Sequence, residues 1–288
     1  MEVIKNIRSG KGANLNINGR AEKILDKSTL SKTFALKPDD FFGTIPKMLH
    51  KEGAILELGT PIFFSKKNPS IKIVSPVSGI LKSIERGPKR KIEKIIIEAS
   101  DKQKSVSHPV NNWDKKTREE LKILLMNSGN WPFIHQRPYG VMANPIDTPK
   151  AIFVSTVKTD PLEGDIQYIL KDKKKEFQQG IDLLNKFVDQ NVFLGIEKSF
   201  SGYFNSIERV QHYTIQGPHP AGNISLHIQK ICPLNMGERI WTVNAEDVAN
   251  LGDFLSTGSF SPTRTVAVSG NSVEQPKYFQ TIIGSELK

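Results

Sequence analysis

KEGAILELGTPIFFSKKNPSIKIVSPVSGILKSI, from Lys51 to Ile84, decides the fold of the first third of this chain. Apolar runs of strand length alternate there with turns at Glu52-Gly53, Leu58-Gly59, Asn68-Pro69 and Ser78-Gly79. No part of it carries the 3.6-residue apolar period of an amphipathic helix. The strands expected are 54–58, 61–64, 71–74 and 79–81, with a further one over 92–98 beyond the quoted stretch. Gly, Pro and Asn at the joints provide the tight-turn backbone angles that such short strands need. A small all-β module over about Phe34 to Ala99 follows.

The order of these pieces resembles the biotinyl/lipoyl-type half-barrel, in which a strand enters after a charged-Gly turn and leaves through a Pro-x-Ser-Gly corner, here Pro76-Val77-Ser78-Gly79. In carrier proteins of that type the modified lysine sits at a hairpin tip. The tip here reads Ser65-Lys66-Lys67-Asn68-Pro69, with the wrong flanks for a carrier and with a stiffening Pro69, so the lysines read as structural.

Working outward, residues 100–117 are polar and read as a linker, and a short helix is expected over Arg118 to Met126, with Leu121, Leu124 and Leu125 on one side and Gly129 ending it. The stretch Trp131-Pro132-Phe133-Ile134-His135-Gln136-Arg137-Pro138-Tyr139-Gly140 is too rich in breakers for a long regular element. From Ala151 the pattern becomes strand and helix in alternation. Ala151 to Val157 is an almost unbroken apolar run, as in a strand covered on both faces of a parallel sheet, and Phe177, Ile181, Leu184 and Val188 recur at helical spacing. Residues 191–196 and 211–215 read as further strands, giving an α/β, Rossmann-like layer. Arg264 to Gly270 restarts β character.

The expected fold class is therefore a multidomain α+β and α/β chain. Its parts are an N-terminal segment and half-barrel β module over 1–104, a linker and short helix over 105–130, the Rossmann-like layer over 131–258, and the beginning of a truncated β domain over 259–288.

Composition removes several function classes. No stretch reaches the roughly 18 apolar residues that a membrane helix requires, and the N-terminus, with its early Glu2, does not read as a secretory signal. The single cysteine, Cys232, allows neither an internal disulfide nor a multi-cysteine zinc or iron–sulfur cluster, and the six scattered histidines make no metal-ligand spacing. The net charge of +10 suits an anionic surface or an acidic partner. No nucleic-acid motif accompanies the basic runs, so a nucleic-acid partner is not expected.

A Rossmann-like layer invites a nucleotide, but the glycine fingerprint is missing. Gly10-Lys11-Gly12 has no third glycine in register and is read as neither following a strand nor opening a helix. The distinctive loop is Gly217-Pro218-His219-Pro220-Ala221-Gly222, after the strand ending near Ile215. Because ligands gather beyond the carboxyl ends of parallel strands, that loop and Thr159-Asp160-Pro161-Leu162 are expected on the ligand side.

The GPHPAG string, together with Phe64 to Pro69, Ser75 to Gly79, Arg86 to Arg90, Ser128 to Trp131, Arg137 to Tyr139, Ala151 to Val154 and Trp241 to Asn244, resembles in collinear order the A subunits of the bacterial sodium-translocating NADH:quinone reductases. The resemblance implies a peripheral subunit on the cytoplasmic face of the inner membrane, bound to membrane-embedded partner subunits in a complex that passes electrons from NADH to ubiquinone or menaquinone and exports sodium. It implies that this chain carries no cofactor, flavins and iron–sulfur centres belonging to the partners, and that it is not catalytic in isolation. Relatives of this family are longer, which is why a truncated third domain is expected. In flavin-carrying kin a Gly-rich loop cradles the flavin phosphate; the matching stretch here, QRPYGVMANP, has Arg137 and Tyr139 and only Gly140, which cannot bring successive N–H groups onto a phosphate. The alternative, a flavin- or NADH-binding electron-input subunit, would need that loop.

A quinone head requires flat apolar contacts and one or two donors. Phe133, His135, Arg137 and Tyr139 provide both, and Trp131, Phe41 and Phe42 are expected to help them. The ligand-side loop of Gly217, Pro218, His219, Pro220 and Gly222 is expected to complete that surface.

Overall fold

The computed structural model describes residues 3–27, 31–198 and 202–286. The chain opens with strands β1 (Val3–Arg8) and β2 (Glu22–Lys27). Seven strands follow: β3 (Thr33–Leu36), β4 (Pro46–Met48), β5 (Ile55–Leu56), β6 (Pro61–Ser65), β7 (Asn68–Val74), β8 (Gly79–Arg86) and β9 (Ile92–Ala99). Helix α1 (Arg118–Asn127) precedes a short hairpin of β10 (His135–Arg137) and β11 (Val141–Met142). The α/β part then runs β12 (Ala151–Ser155), α2 (Ile166–Ile169), α3 (Lys174–Asn185), β13 (Asn191–Glu197), β14 (Gln211–Gln216), α4 (Ile224–Ile231), β15 (Ile240–Asn244) and α5 (Ala245–Thr257). Strands β16 (Thr263–Val268) and β17 (Lys277–Ile282) close the sequence. Among the described residues no helix is long and apolar enough to cross a membrane.

Two compact units result, and neither is one continuous piece of chain. The β unit comprises Ser28–Ile146, Phe254–Arg264 and Thr281–Lys288. Its antiparallel sheets, in the orders β3-β9-β8-β5 and β4-β6-β7, enclose Phe34, Leu56, Ile62, Phe63, Ile73, Val77, Leu81 and Ile97. This is the half-barrel that the turn pattern implied. Its Pro-x-Ser-Gly corner is fixed by Ser78, whose hydroxyl donates to the Lys104 carbonyl at 2.5 Å and accepts from the Leu58 amide at 3.2 Å. Gly79 is required there, because a Cβ would lie 2.1 Å from the Glu98 carbonyl oxygen. Helix α1 begins at a reciprocal cap: the Glu120 amide donates to the Thr117 hydroxyl, and the Glu120 carboxylate accepts from the Thr117 amide. Lys66 and Lys67 form the exposed two-residue turn between β6 and β7.

The α/β unit comprises Met1–Lys27, Asp147–Asp253 and Thr265–Gln280. Its strands pair in parallel in the order β1-β14-β13-β12-β15. Strand β12 is flanked on both sides and covered on both faces, and its first four residues are buried. The Phe153 ring packs 4.7 Å from that of Phe193 and 6.1 Å from that of Tyr213. Helix α3 buries Phe177, Ile181 and Leu184, the face set by their spacing, while Val188 lies beyond its end. Close approach to α5 is made by two glycines: a Cβ on Gly180 would sit 2.0 Å from the Val248 carbonyl oxygen, and one on Gly252 1.8 Å from that of Glu176.

Two features depart from the sequence pattern. Strand β1 adds to the edge of the parallel sheet beside β14, so Gly10-Lys11-Gly12 does follow a strand, contrary to the expectation for that string. No helix opens after it, and the nucleotide fingerprint stays incomplete. The physical reason is that β1 is an edge strand with only Ile7 of its described side chains buried, which leaves no alternation to read. In addition, β17 pairs in parallel with β2, so the opening and closing segments share a three-stranded sheet with β16.

Candidate functional site

The aromatic and proline-rich stretch folds as a single helical turn, Trp131–Phe133, followed by the β10–β11 hairpin. Its residues take distinct environments. Trp131 is fully buried and its indole N–H donates to the Ala143 carbonyl at 2.8 Å, so the ring packs the unit and presents no face to a ligand. Phe41 likewise packs edge-on to Phe63 at 6.0 Å, against the half-barrel core. Trp131 is thus enclosed in the unit, whereas Phe41 is only partly buried and keeps part of its ring at the surface.

The remaining members are more accessible. Phe42 and Tyr139 are exposed, at 68% and 67%. The loop that carries Phe42 lies on the hairpin, since a Cβ on Gly43 would be 3.5 Å from a Val141 methyl. Phe133 is half-buried, stacked on Phe260 at 6.1 Å and 18°, with the Arg264 guanidinium 4.9 Å from its ring centre. His135 is half-buried in β10. At the hairpin's end, Gly140 adopts a φ of 65° and its amide donates to the Gln136 carbonyl at 2.9 Å. Arg137 stands beside that turn, and its Nε is buried with no hydrogen-bond partner among the described residues. A buried donor left unpaired costs about 1–3 kcal/mol.

The GPHPAG loop belongs to the α/β unit, at the carboxyl end of β14. Three segments meet there. The loop after β1 is bound to it by the Ser9 amide donating to Gln216 at 2.9 Å and the Ala13 amide donating to the His219 carbonyl at 3.0 Å. Gly217, at a φ of 144°, has no room for a side chain, since a Cβ would be 2.2 Å from the Ser9 carbonyl oxygen. The loop after β12 contributes Thr159, whose hydroxyl accepts from the Gly222 amide at 2.8 Å and lies 3.3 Å from His219 Nδ1. Asp160 places a carboxylate oxygen 3.4 Å from the same nitrogen. His219 is therefore partnered rather than a bare exposed residue, and Thr159 and Asp160 are brought to it as the parallel topology requires. Nearby, burial pushes the Glu163 carboxyl up, opposed by Lys158 at 2.6 Å and reinforced by Asp160.

What sequence reasoning missed is the loop Ser9–Asn14, which walls this site. Its one signal was the Gly10-Lys11-Gly12 string, set aside because the strand before it could not be read. Among the described residues, no group of three or more His, Cys, Asp or Glu is placed to hold a metal ion.

Comparisons with known proteins agree with this architecture. The family model described as the NqrA N-terminal barrel-sandwich hybrid domain matches residues 7–100, and that described as the NqrA second alpha/beta domain matches residues 116–260. The chain is 28% identical over 286 residues to the A subunit of the Na(+)-translocating NADH-quinone reductase of Alcanivorax borkumensis, covering 98% of this chain and 63% of that protein. With the corresponding protein of Rhodopirellula baltica it is 31% identical, over 96% of this chain and 62% of the relative. With that of Photorhabdus laumondii the figures are 30%, 98% and 63%. The chain thus spans less than two thirds of the length of these relatives. Two family domains in their expected order, over the half-barrel and the parallel sheet, establish that the chain belongs to the NqrA family.

Proposed function

We propose that this chain serves as the A subunit of a sodium-translocating NADH:quinone reductase, taking part in quinone binding on the cytoplasmic side of a membrane complex. In this reading it carries no cofactor of its own, ubiquinone or menaquinone is its ligand, and flavins and iron–sulfur centres reside on partner subunits that include membrane-embedded ones. Support comes from the names of its relatives and from the chemistry of the β10–β11 hairpin.

The observation that carries the quinone role is the buried, unpaired Nε of Arg137 next to the exposed ring of Tyr139. A quinone carbonyl is an acceptor of the right kind for that donor, and a flat ring stacks on Tyr139 or Phe42. Phe133 and His135, both half-buried, are proposed as further members of that surface, while Trp131 and Phe41 pack within the β unit. The loop Gly217, Pro218, His219, Pro220 and Gly222 is proposed as the ligand-side loop of the α/β unit, where Thr159 and Asp160 stand against the His219 ring. The isolated chain is expected to turn nothing over. Quinone titration of the assembled enzyme with and without this chain tests the proposal: loss of the quinone response on removing it, with NADH oxidation by an artificial acceptor retained, is the expected result. An unchanged quinone response would refute it.

A further inference from the structure

A further cleft in the α/β unit, bordering the GPHPAG loop at Pro220, has the chemistry of a binding site. Between the loop after β1 and helix α4 lies a cleft of about 480 Å³. That volume falls within the range of small-molecule sites. Arg8, Lys11 and Lys230 stand around it, and its lining contains neither Asp nor Glu. Ile7, which is buried, and Leu226 and Pro220 give it an apolar floor. We propose that this cleft binds a phosphoryl group carried on an apolar body.

The cleft is held in shape before any ligand arrives. The Ser9 and Ala13 amides fasten the two ends of the loop to Gln216 and His219, so that Gly10-Lys11-Gly12 bows out between fixed points. Gly12, at a φ of 137°, touches the His219 backbone so closely that a Cβ would be 2.0 Å from its carbonyl oxygen. Gly10, in contrast, has no heavy atom within 4 Å of a Cβ position, which keeps the mouth open.

The charges favour an anion. Arg8 offers the planar fork that matches phosphate oxygens, and Lys11 and Lys230 add point charges around it. One feature would oppose an anion here, the negative end of the α4 dipole, since Lys230 lies in the last turn of that helix. Lys5 offsets it by donating its ammonium to the Lys230 carbonyl. A bare inorganic anion would leave the apolar floor unused, and a neutral apolar molecule would leave three cations unpaired; a phosphate ester satisfies both. Such esters occur free in solution and as lipid headgroups.

The test is equilibrium binding to the full chain. Phenyl phosphate and phenol are titrated calorimetrically, and vesicles of phosphatidylglycerol and of phosphatidylcholine are compared by co-sedimentation. Saturable binding of phenyl phosphate over phenol supports a free phosphoester, and binding of phosphatidylglycerol over phosphatidylcholine supports a lipid headgroup. Either must weaken about tenfold or more in the variant Lys11→Gln with Lys230→Gln, and must be lost in Gly10→Glu, which sets a carboxylate in the open mouth, while Gly10→Ala binds normally. The exposed pair Lys67→Gln with Lys102→Gln changes the net charge equally and should leave binding intact. Absence of binding by both probes, or equal loss in the Lys67 and Lys102 variant, would overturn the proposal. Thermal stability of Gly10→Glu matching Gly10→Ala excludes misfolding as the cause.

Discussion

Tyr213 Oη lies 2.8 Å from His227 Nδ1, and the other nitrogen of that ring, Nε2, lies 2.7 Å from the carbonyl oxygen of Ala221. The carbonyl can only accept, so Nε2 carries a hydrogen, and Nδ1 of a neutral His227 then accepts a hydrogen bond from the tyrosine hydroxyl. Burial pushes the histidine down and the tyrosine up, which favours the same assignment. The chain of bonds links the centre of the parallel sheet to the GPHPAG loop, and Gly195 makes it possible, since a Cβ there would lie 2.5 Å from the tyrosine hydroxyl.

Removing the tyrosine hydroxyl tests this link. Tyr213→Phe leaves His227 Nδ1 buried without a donor and should cost about 1–3 kcal/mol in urea unfolding. A variant as stable as the parent would mean that the bond contributes nothing.

Acid should destabilise the fold through its buried histidines. His227, His212 and His108 are all held below their ordinary range, in each case chiefly by burial. A depressed folded pKa means that the unfolded chain binds protons first. The stabilising contribution is therefore present above about pH 6.5 and lost as pH falls toward the folded values. Melting temperature should decline between about pH 7 and pH 5, and less steeply in His212→Gln; a flat profile over that interval contradicts the assignment.

The contact of α3 with α5 predicts a strong steric effect. Gly252→Val or Gly180→Leu forces side-chain atoms into the backbone of the facing helix and should cost more than about 3 kcal/mol, whereas Gly10→Ala should be near neutral. Circular dichroism melts of the three variants separate these outcomes, and a stable Gly252→Val protein would show that the helices can part.

Much of the fold was legible because burial leaves a mark on composition. Ala151 to Val154 are apolar without interruption because neighbouring strands and both sheet faces exclude water from them. Phe177, Ile181 and Leu184 repeat at helical spacing because one face of α3 is covered. Val3–Arg8 and Glu22–Lys27 left no such mark: they are edge strands, largely exposed, and their partners lie some two hundred residues away in sequence. The candidate site was legible only as a set of residue types. Trp131 and Phe133 are two positions apart in a stretch that carries the same aromatic signal throughout, yet one is entombed and the other borders a surface, a distinction made by tertiary packing.

The burial of Trp131 sets its expected phenotype apart from that of the exposed residues. Trp131→Phe removes a buried N–H donor and leaves the Ala143 carbonyl unpaired, so it should lower stability by about 1–3 kcal/mol and leave quinone affinity unchanged in whatever enzyme still assembles. A selective loss of quinone affinity at full stability would reassign Trp131 to the ligand surface.

The central claim rests on Arg137 and Tyr139, and the most direct measurement is the apparent quinone affinity of the assembled enzyme carrying Arg137→Gln or Tyr139→Ala, read beside the thermal stability of the chain. Each substitution removes one contact worth about 1 kcal/mol, so the expected result is a loss of affinity of about fivefold with stability retained. An unchanged quinone response in both variants would contradict the account and place the quinone elsewhere.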